Sequence, residues 1–233
     1  MNKNLWLLAL CQGLFLTNNV VFIAINGLVG LQLAPFGWMA TLPVMGYVVG
    51  GALSTPLVAQ SQARWGRKVS FQIGLAVAVV SAALCAWAAF SASFWLLCTA
   101  TVVAGYYSAN GGLYRFAAAE LAKPDYREKA VSLVLAGGLL GAVAGPNLAS
   151  ATRTLFPVPF AGAYIALIGV ALLSMLCMAA IRFEAQPVVL NAAGQREQGR
   201  PLKVLMRQPA FIVAIVGAAL GYGVMNLLMA ATP

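Results

Sequence analysis

The stretch QSQARWGRKVS, residues 60–70, is a short basic segment between two long apolar runs. These runs, residues 36–58 and 69–90, are each long enough to cross a bilayer, because a helix spans the hydrocarbon with about 20 apolar residues. Arg64, Arg67 and Lys68 are costly to place in hydrocarbon. We therefore predict that residues 60–70 form a loop in water, and that this loop determines on which side of the membrane the other segments lie.

The composition of the whole chain is that of a membrane protein. Of the 233 residues, 62% are hydrophobic and 8% are charged, whereas a soluble domain has about 25% charged residues. Seven apolar runs are long enough to span a bilayer, so we predict an all-α integral membrane protein with the lipid bilayer as its partner. The runs are residues 5–31, 36–58, 69–90, 94–121, 130–151, 160–181 and 210–232.

The basic residues divide unevenly between the two ends of these predicted helices. If the N-terminus and residues 60–70 face the cytoplasm, 12 of the 14 basic residues lie on that side, as the positive-inside rule expects. We predict a multi-pass protein of the plasma membrane, in a bacterium the inner membrane, with a cytoplasmic N-terminus. The 12 residues are Lys3, Arg64, Arg67, Lys68, Lys123, Arg127, Lys129, Arg182, Arg196, Arg200, Lys203 and Arg207.

Several classes of site are not expected. The chain has no histidine, which removes the commonest metal ligand and general base. Its cysteines lie inside apolar runs without a Cys-x-x-Cys pair, so we interpret them as small apolar side chains. The net charge of +9 is spread between apolar runs and not gathered in a patch, so nucleic acid is not an expected partner. We predict no metal, no cofactor and no catalytic residues.

The apolar runs also predict the domain organisation. Residues 1–181 would form a six-helix transmembrane bundle, and residues 182–208 a polar cytoplasmic linker of mixed charge. Residues 209–233 would form a seventh helix, the start of a second bundle. We expect the chain to be part of a longer transporter or a truncated product, completed by a missing C-terminal half or by a dimer partner.

Six helices followed by a basic linker, with a basic segment between the second and third helices, resemble the major facilitator superfamily. The family pattern for that segment is roughly G-x-x-x-D-R-x-G-R-[RK]. Ala59 stands where the pattern has glycine, and Ala63 where it has an aspartate that helps form a charge latch. Glu120, at the inner end of the fourth predicted helix, is a candidate substitute partner for Arg64. The matching residues are Arg64, Gly66, Arg67 and Lys68. The alternative is that these basic residues only orient the chain.

A second resemblance lies in the fifth predicted helix, where GGLLGAVAGP, residues 137–146, is similar to the antiporter motif G-x-x-x-G-P of the family. Gly137, Gly141 and Gly145 are four residues apart and form one smooth face, which lets another backbone approach closely. Pro146 removes a helical hydrogen bond and bends the helix. Generic helix packing is the alternative interpretation. A third family pattern is absent, because Thr101 stands where proton-coupled members have an arginine four residues before a glycine.

Polar residues of the first and fourth predicted helices are candidates for a substrate cavity. Gln12, Asn19 and Asn26 recur every seven residues and share a helix face with Phe22. Tyr107, Asn110 and Tyr114 share a face of the fourth helix, and Tyr222 and Asn226 of the seventh helix can close the cavity. Hydrogen bonds between helices are the alternative role for these residues. Arg115 either extends toward water or pairs with Glu120, or binds an anionic group of a substrate. The predicted cavity residues are Gln12, Asn19, Phe22, Asn26, Tyr107, Asn110, Tyr114, Arg115, Tyr222 and Asn226.

The resemblance implies an MFS-type helical bundle with seven of about twelve helices present, working as a secondary transporter of a small organic solute by alternating access. The helix-five motif favours export by proton antiport, whereas the missing arginine and aspartate argue against it. No acidic residue lies mid-membrane, so protons would need Glu120 or the missing half. Alternatives are an uptake transporter or facilitator of a neutral or amphipathic solute, an inactive half-transporter, a seven-helix receptor and a membrane-embedded enzyme.

Overall fold

The structure is a computed structural model that describes residues 3–183, 204 and 206–231, except for the side chains of residues 226 and 229–231. Seven α-helices and two short 3-10 turns account for most of the described residues, which contain no strand, so the predicted all-α class is confirmed. The helices are α1 (Lys3–Leu33), α2 (Leu42–Phe90), α3 (Phe94–Gly111), α4 (Tyr114–Leu121), α5 (Arg127–Thr152), α6 (Ala161–Ala180) and α7 (Pro209–Ala231).

The chain divides into two compact units. The first unit, Met1–Phe183, contains α1 to α6, and the second, Glu184–Pro233, contains α7. The boundary lies two residues beyond the predicted end of the six-helix bundle at residue 181. Most of the predicted linker, at residues 184–203 and 205, lies outside the described residues.

Within the described residues, four helical segments are long and apolar enough to cross a membrane. They are Lys3–Leu33, Gly37–Phe90, Pro124–Thr152 and Ala161–Ala180, and Pro209–Met225 is a shorter apolar helix. Gly37–Phe90 contains 54 residues, which is more than twice the length that spans a bilayer. This segment therefore covers both the second and the third predicted spans.

The predicted loop at residues 60–70 is reduced to one non-helical residue. The residues on either side of the turn are helical, and Gly66 alone leaves helical geometry, with φ 78° and ψ 170°. The Ser61 hydroxyl donates a hydrogen bond to the Ser70 hydroxyl at 2.5 Å, although residues nine apart on a straight helix are separated by about 13 Å. The chain therefore reverses sharply at Gly66. The turn divides α2 into a first arm, residues 42–65, and a second arm, residues 67–90, and both arms are helical up to the turn.

The fourth predicted span is also interrupted. A turn at Gly112 and Leu113 separates α3 from α4, and the Leu113 amide donates to the Asn110 carbonyl at 3.0 Å. A methyl group added at Gly111 would collide with the aromatic ring of Phe15 on α1. The absence of a side chain at Gly111 thus lets Phe15 pack directly against the end of α3.

Helices α1 and α5 pack backbone to backbone along the glycine face predicted from residues 137–146. A Cβ atom at Gly137 would collide with the Ala9 carbonyl, and one at Gly141 would collide with the Gly13 carbonyl. The Thr17 hydroxyl donates to the Gly13 carbonyl of its own helix at 2.9 Å and, across the contact, to the Gly141 carbonyl at 3.1 Å. The helices are less close at Gly145, where a Cβ atom would be 3.3 Å from the Thr17 carbonyl. We call residues 9, 13, 17, 137, 141 and 145 the α1–α5 contact.

A second close contact joins α2 to α3. A Cβ atom at Gly50 would collide with the Val102 carbonyl, and one at Gly105 would collide with the backbone of Gly50. Thr101 is fully buried, and its hydroxyl oxygen would lie 2.9 Å from a Cβ atom at Gly46. Thr101, which stands where the family pattern has arginine, therefore packs α3 against α2.

We expect Gly66→Ala to destabilise the fold through backbone strain alone. No heavy atom lies within 4 Å of a Cβ atom at Gly66, but its positive φ with ψ near 170° is nearly restricted to glycine, at a cost of roughly 1–3 kcal/mol for other residues. The fraction of folded protein measured against the mole fraction of a denaturing detergent gives the loss of stability. Gly37→Ala is the control, since Gly37 is equally open and has no positive φ. Equal stability of both variants would contradict the strained turn.

We expect Gly141→Ala to lower the thermal unfolding temperature in mild detergent, because the added methyl forces α1 away from α5 at a cost of about 1–3 kcal/mol. Gly169→Ala on α6 is the matched control, because a Cβ atom there meets nothing within 4 Å. Alanine is favoured over glycine in a helix by about 1 kcal/mol, so the control should be unchanged or more stable. A Gly141→Ala protein as stable as the control would disprove the close approach.

Candidate functional site

Two asparagines of α1 each accept a hydrogen bond from a tyrosine on a different helix. The Tyr47 hydroxyl on α2 donates to Asn19 Oδ1 at 2.7 Å, and the Tyr164 hydroxyl on α6 donates to Asn26 Oδ1 at 2.7 Å. The Phe22 ring lies between them, with its centroid 5.0 Å from that of Tyr47 and 6.4 Å from that of Tyr164. We call Asn19, Phe22, Asn26, Tyr47 and Tyr164 the amide–tyrosine cluster.

The two asparagines of this cluster differ in exposure. Asn26 is completely buried, and its Nδ2 group has no hydrogen-bond partner among the described residues. Asn19 is only partly buried. The Asn26 bond therefore ties α1 to α6 inside the bundle. Asn19 is the one partly exposed member of the cluster, since Tyr47 and Phe22 are each only 2% exposed. Lining a substrate cavity stays a prediction for both residues.

Gln12, the third amide of the predicted stripe, lies next to α5. Its side chain is buried, and its Cγ atom would lie 3.3 Å from a Cβ atom at Gly138. The Gln12 Oε1 atom has no hydrogen-bond partner among the described residues. The seven-residue spacing of Gln12, Asn19 and Asn26 thus places the three amides against three different helices, α5, α2 and α6.

The tyrosines of the fourth predicted span lie in the bundle core. The Phe15 ring makes edge contacts with Tyr107 and Tyr114, at centroid distances of 5.3 and 5.9 Å. Phe71 makes a further edge contact with Tyr114 at 4.9 Å. The hydroxyls of Tyr107, Tyr114 and Ser174 are buried without a hydrogen-bond partner among the described residues. These rings therefore pack the core with polar atoms that a bound water can satisfy.

Asn110 and Arg115 do not join those two tyrosines. Asn110 accepts a hydrogen bond from the Ser70 hydroxyl at 3.1 Å and donates to the Tyr106 carbonyl at 3.4 Å. The Arg115 guanidinium is exposed and lies over the neighbouring Phe116 ring, 5.0 Å from its centroid. The structure thus separates Asn110, which is bonded to Ser70 of α2, and the exposed Arg115 from the two tyrosines of the core.

The residues predicted to close the cavity from the seventh helix lie in the second unit. Tyr222 lies on α7, and the side chain of Asn226 lies outside the described side chains. Their role at the cavity stays a prediction.

Sequence reasoning missed Tyr47 and Tyr164, the two hydroxyl donors of the amide–tyrosine cluster. Each lies alone in a long apolar run, residues 36–58 and 160–181. A buried tyrosine hydroxyl usually has a hydrogen-bond partner. A single tyrosine within an apolar run therefore indicates a buried hydrogen bond. The asparagines of α1 were the acceptors that the sequence offered for it.

The basic motif forms a bidentate ion pair next to the turn at Gly66. Arg67 donates from Nε and Nη2 to the two carboxylate oxygens of Glu120 on α4. Arg67 also donates from Nη1 to Gln62 Oε1 at 2.9 Å. The carboxylate partner suggested for Arg64 thus pairs with Arg67, and Arg64 is exposed and makes no ion pair within the described part of the chain.

Other hydrogen bonds fasten the same end of the bundle. Lys68 Nζ donates to the Ala179 carbonyl at 2.6 Å, and Gln72 Nε2 donates to the Met175 carbonyl at 2.9 Å. Ala179 lies in the last turn of α6, where carbonyl groups lack helical partners, and Met175 lies about one turn earlier. The second arm of α2 is therefore held to α4 by an ion pair and to α6 by two side-chain bonds.

Metal-binding groups are not found in the described residues. No group of three or more His, Cys, Asp or Glu side chains there is arranged to hold a metal ion. The four cysteines are free and lie on α1, α2, α3 and α6.

We expect a double-mutant cycle to couple Arg67 with Glu120. The side chains are 24% and 31% exposed, so water screens the pair, and a coupling of about 0.5–1 kcal/mol is expected from the stabilities of Arg67→Gln, Glu120→Gln and the double variant. The control cycle combines Arg64→Gln with Glu120→Gln and should be additive. Coupling of Glu120 to Arg64 and not to Arg67 would contradict this geometry.

Comparisons with known proteins agree with the helical architecture. A family model described as Major Facilitator Superfamily matches residues 5–233. The riboflavin transporter RfnT of Brucella anthropi is 32% identical over 99% of this chain and 58% of its own length. The MFS-type transporter YdeG of Bacillus subtilis is 27% identical over 82% of this chain and 40% of its own length. The chain therefore spans about half the length of these curated relatives.

Proposed function

Because the chain belongs to the major facilitator superfamily, we propose that it contributes to a secondary transporter that moves a small organic solute across a membrane by alternating access. The first unit supplies a bundle of close-packed helices with an uncharged polar cluster on α1, and the expected second bundle supplies the facing half. Inverted three-helix repeats around a site near the bilayer midplane are the general design of such carriers. The homologues support transport and not enzymatic catalysis.

The proposed solute is a planar heteroaromatic compound of the riboflavin type. The supporting observation is the partly exposed Asn19 side chain, bonded to Tyr47 beside the Phe22 ring. An amide and a phenol offer hydrogen bonds to uncharged ring nitrogens and carbonyls, and aromatic side chains stack on planar rings. The similarity to a riboflavin transporter over 99% of this chain supports the same solute class.

The proposed orientation places the N-terminus and the Gly66 turn in the cytoplasm, in the inner membrane of a bacterium. Its support is the placement of 12 of the 14 basic residues on one side and the positive-inside rule. In this orientation the Arg67–Glu120 pair would lie at the cytoplasmic end, where it would stabilise one of the two alternating conformations.

Export by proton antiport is a second candidate. The α1–α5 contact favours it, since the antiporter-like glycines at 137 and 141 are the residues that touch α1. Uptake, or facilitated movement of a neutral or amphipathic solute, is favoured instead by the buried Thr101 at the arginine position.

We expect riboflavin to bind the chain in lipid nanodiscs and to lose affinity when the Asn19–Tyr47 pair is removed. Binding is measured directly by quenching of the flavin fluorescence. Asn19→Ala and Tyr47→Phe should each raise Kd by about three- to tenfold, the equivalent of one hydrogen bond of about 0.5–1.5 kcal/mol.

Asn147→Ala is the matched control for that experiment. Asn147 is exposed on α5, and its amide donates to the Val143 carbonyl of the same helix at 2.8 Å, so riboflavin binding should be unchanged. Equal losses in the Asn19 and Asn147 variants, or no quenching with any form of the protein, would contradict riboflavin as the solute. Quenching that survives Asn19→Ala and Tyr47→Phe would place the solute away from the amide–tyrosine cluster.

A further inference from the structure

A cavity of about 580 Å³ lies at one end of the first unit, away from the amide–tyrosine cluster. It is formed by the beginning of α1, the end of α4, the 3-10 turn Pro124–Tyr126 and the first two turns of α5. Its described lining residues include two lysines and a tyrosine among apolar side chains, and none is acidic. The six that matter here are Leu5, Leu121, Lys123, Tyr126, Lys129 and Leu133.

We propose that this cavity binds an acidic phospholipid, with the headgroup phosphate on Lys123 and Lys129 and the upper part of one acyl chain along the leucines. The site joins the two chemistries that such a lipid needs. Its lining combines the cationic Lys123 and Lys129 with three leucines of the apolar helices. We call Leu5, Leu121 and Leu133 the leucine wall. Basic pockets between membrane helices are suited to anionic headgroups.

The position of the cavity favours a lipid over a soluble anion. It lies where α4 ends at Leu121 and α5 begins at Arg127, and in the proposed orientation these helix ends would lie at the level of the lipid headgroups. Tyr126 is 57% exposed at this boundary, and exposed tyrosines are typical of the membrane interface. A soluble phosphate compound would leave the leucine wall in contact with water, whereas an acyl chain covers it.

The charges around the cavity are arranged to leave the lysines available. Lys129 Nζ lies over the Tyr126 ring, 5.6 Å from its centroid, a contact that positions the ammonium without neutralising it. Glu120 is occupied by Arg67. Asp125 and Glu128 belong to the same segment but are not among the described lining residues.

The test measures which lipid stays bound to the chain after extraction from nanodiscs of phosphatidylglycerol mixed with phosphatidylcholine, by native mass spectrometry. We expect the wild-type chain to retain phosphatidylglycerol preferentially. Lys123→Gln combined with Lys129→Gln should reduce that retention by about ten- to thirtyfold, as expected for two lysines near an anionic headgroup. The control is Arg115→Gln combined with Arg153→Gln, which removes the same charge at two exposed residues outside the cavity and should retain the lipid.

Two further experiments distinguish a lipid phosphate from the phosphate of a soluble compound. Leu133→Trp fills the cavity beside the leucine wall without changing its charge. It should also reduce lipid retention, whereas simple attraction between the lysines and an anion would be unaffected. Excess glycerol phosphate should not displace the lipid. The proposal is overturned if phosphatidylcholine is retained equally, if the lysine and arginine double variants behave alike, or if glycerol phosphate displaces the lipid completely.

Discussion

The contact on which the first unit depends is the backbone-to-backbone packing of α1 against α5. In a bilayer the hydrophobic effect gives little reason for two apolar helices to associate, so close van der Waals contact and interhelical hydrogen bonds must hold them together. Gly13 and Gly141 meet without side chains, and the Thr17 hydroxyl bonds to the Gly141 carbonyl across the contact. Because α1 touches all the other helices of the first unit, its position against α5 also positions the amides that it presents to α2 and α6.

The polar groups of the first unit serve two purposes at two depths. Near the Gly66 turn, Arg67, Lys68 and Gln72 fasten the second arm of α2 to α4 and α6. Deeper in the bundle, the hydrogen bonds join uncharged side chains, as between Asn19 and Tyr47 or between Asn26 and Tyr164. Charged contacts lie where water reduces the cost of charge, and neutral contacts lie where hydrocarbon makes charge expensive. The uncharged interior supports the neutral solute that we propose.

One expectation from the sequence agrees with the structure and another does not. The glycines at 137, 141 and 145 were predicted to form a face for close helix approach, and they do so against α1. The eleven-residue loop predicted at 60–70 is instead helical on both sides of Gly66. Charge and polarity place a segment in water, but they do not say whether it is helical there. A single glycine with positive φ suffices to reverse the chain, and hydropathy carries no signal for it.

The sequence by itself determined the all-α membrane class, the family and the face of α1 on which its spaced amides lie, because run length and helical period are properties of the chain alone. Only the tertiary structure decided the partners. Gln12, Asn19 and Asn26 share one face by spacing, yet they lie against α5, α2 and α6. Likewise Glu120 pairs with Arg67 and not with Arg64. A period of 3.6 residues fixes directions around one helix, whereas the neighbour met in each direction depends on how the other helices cross it.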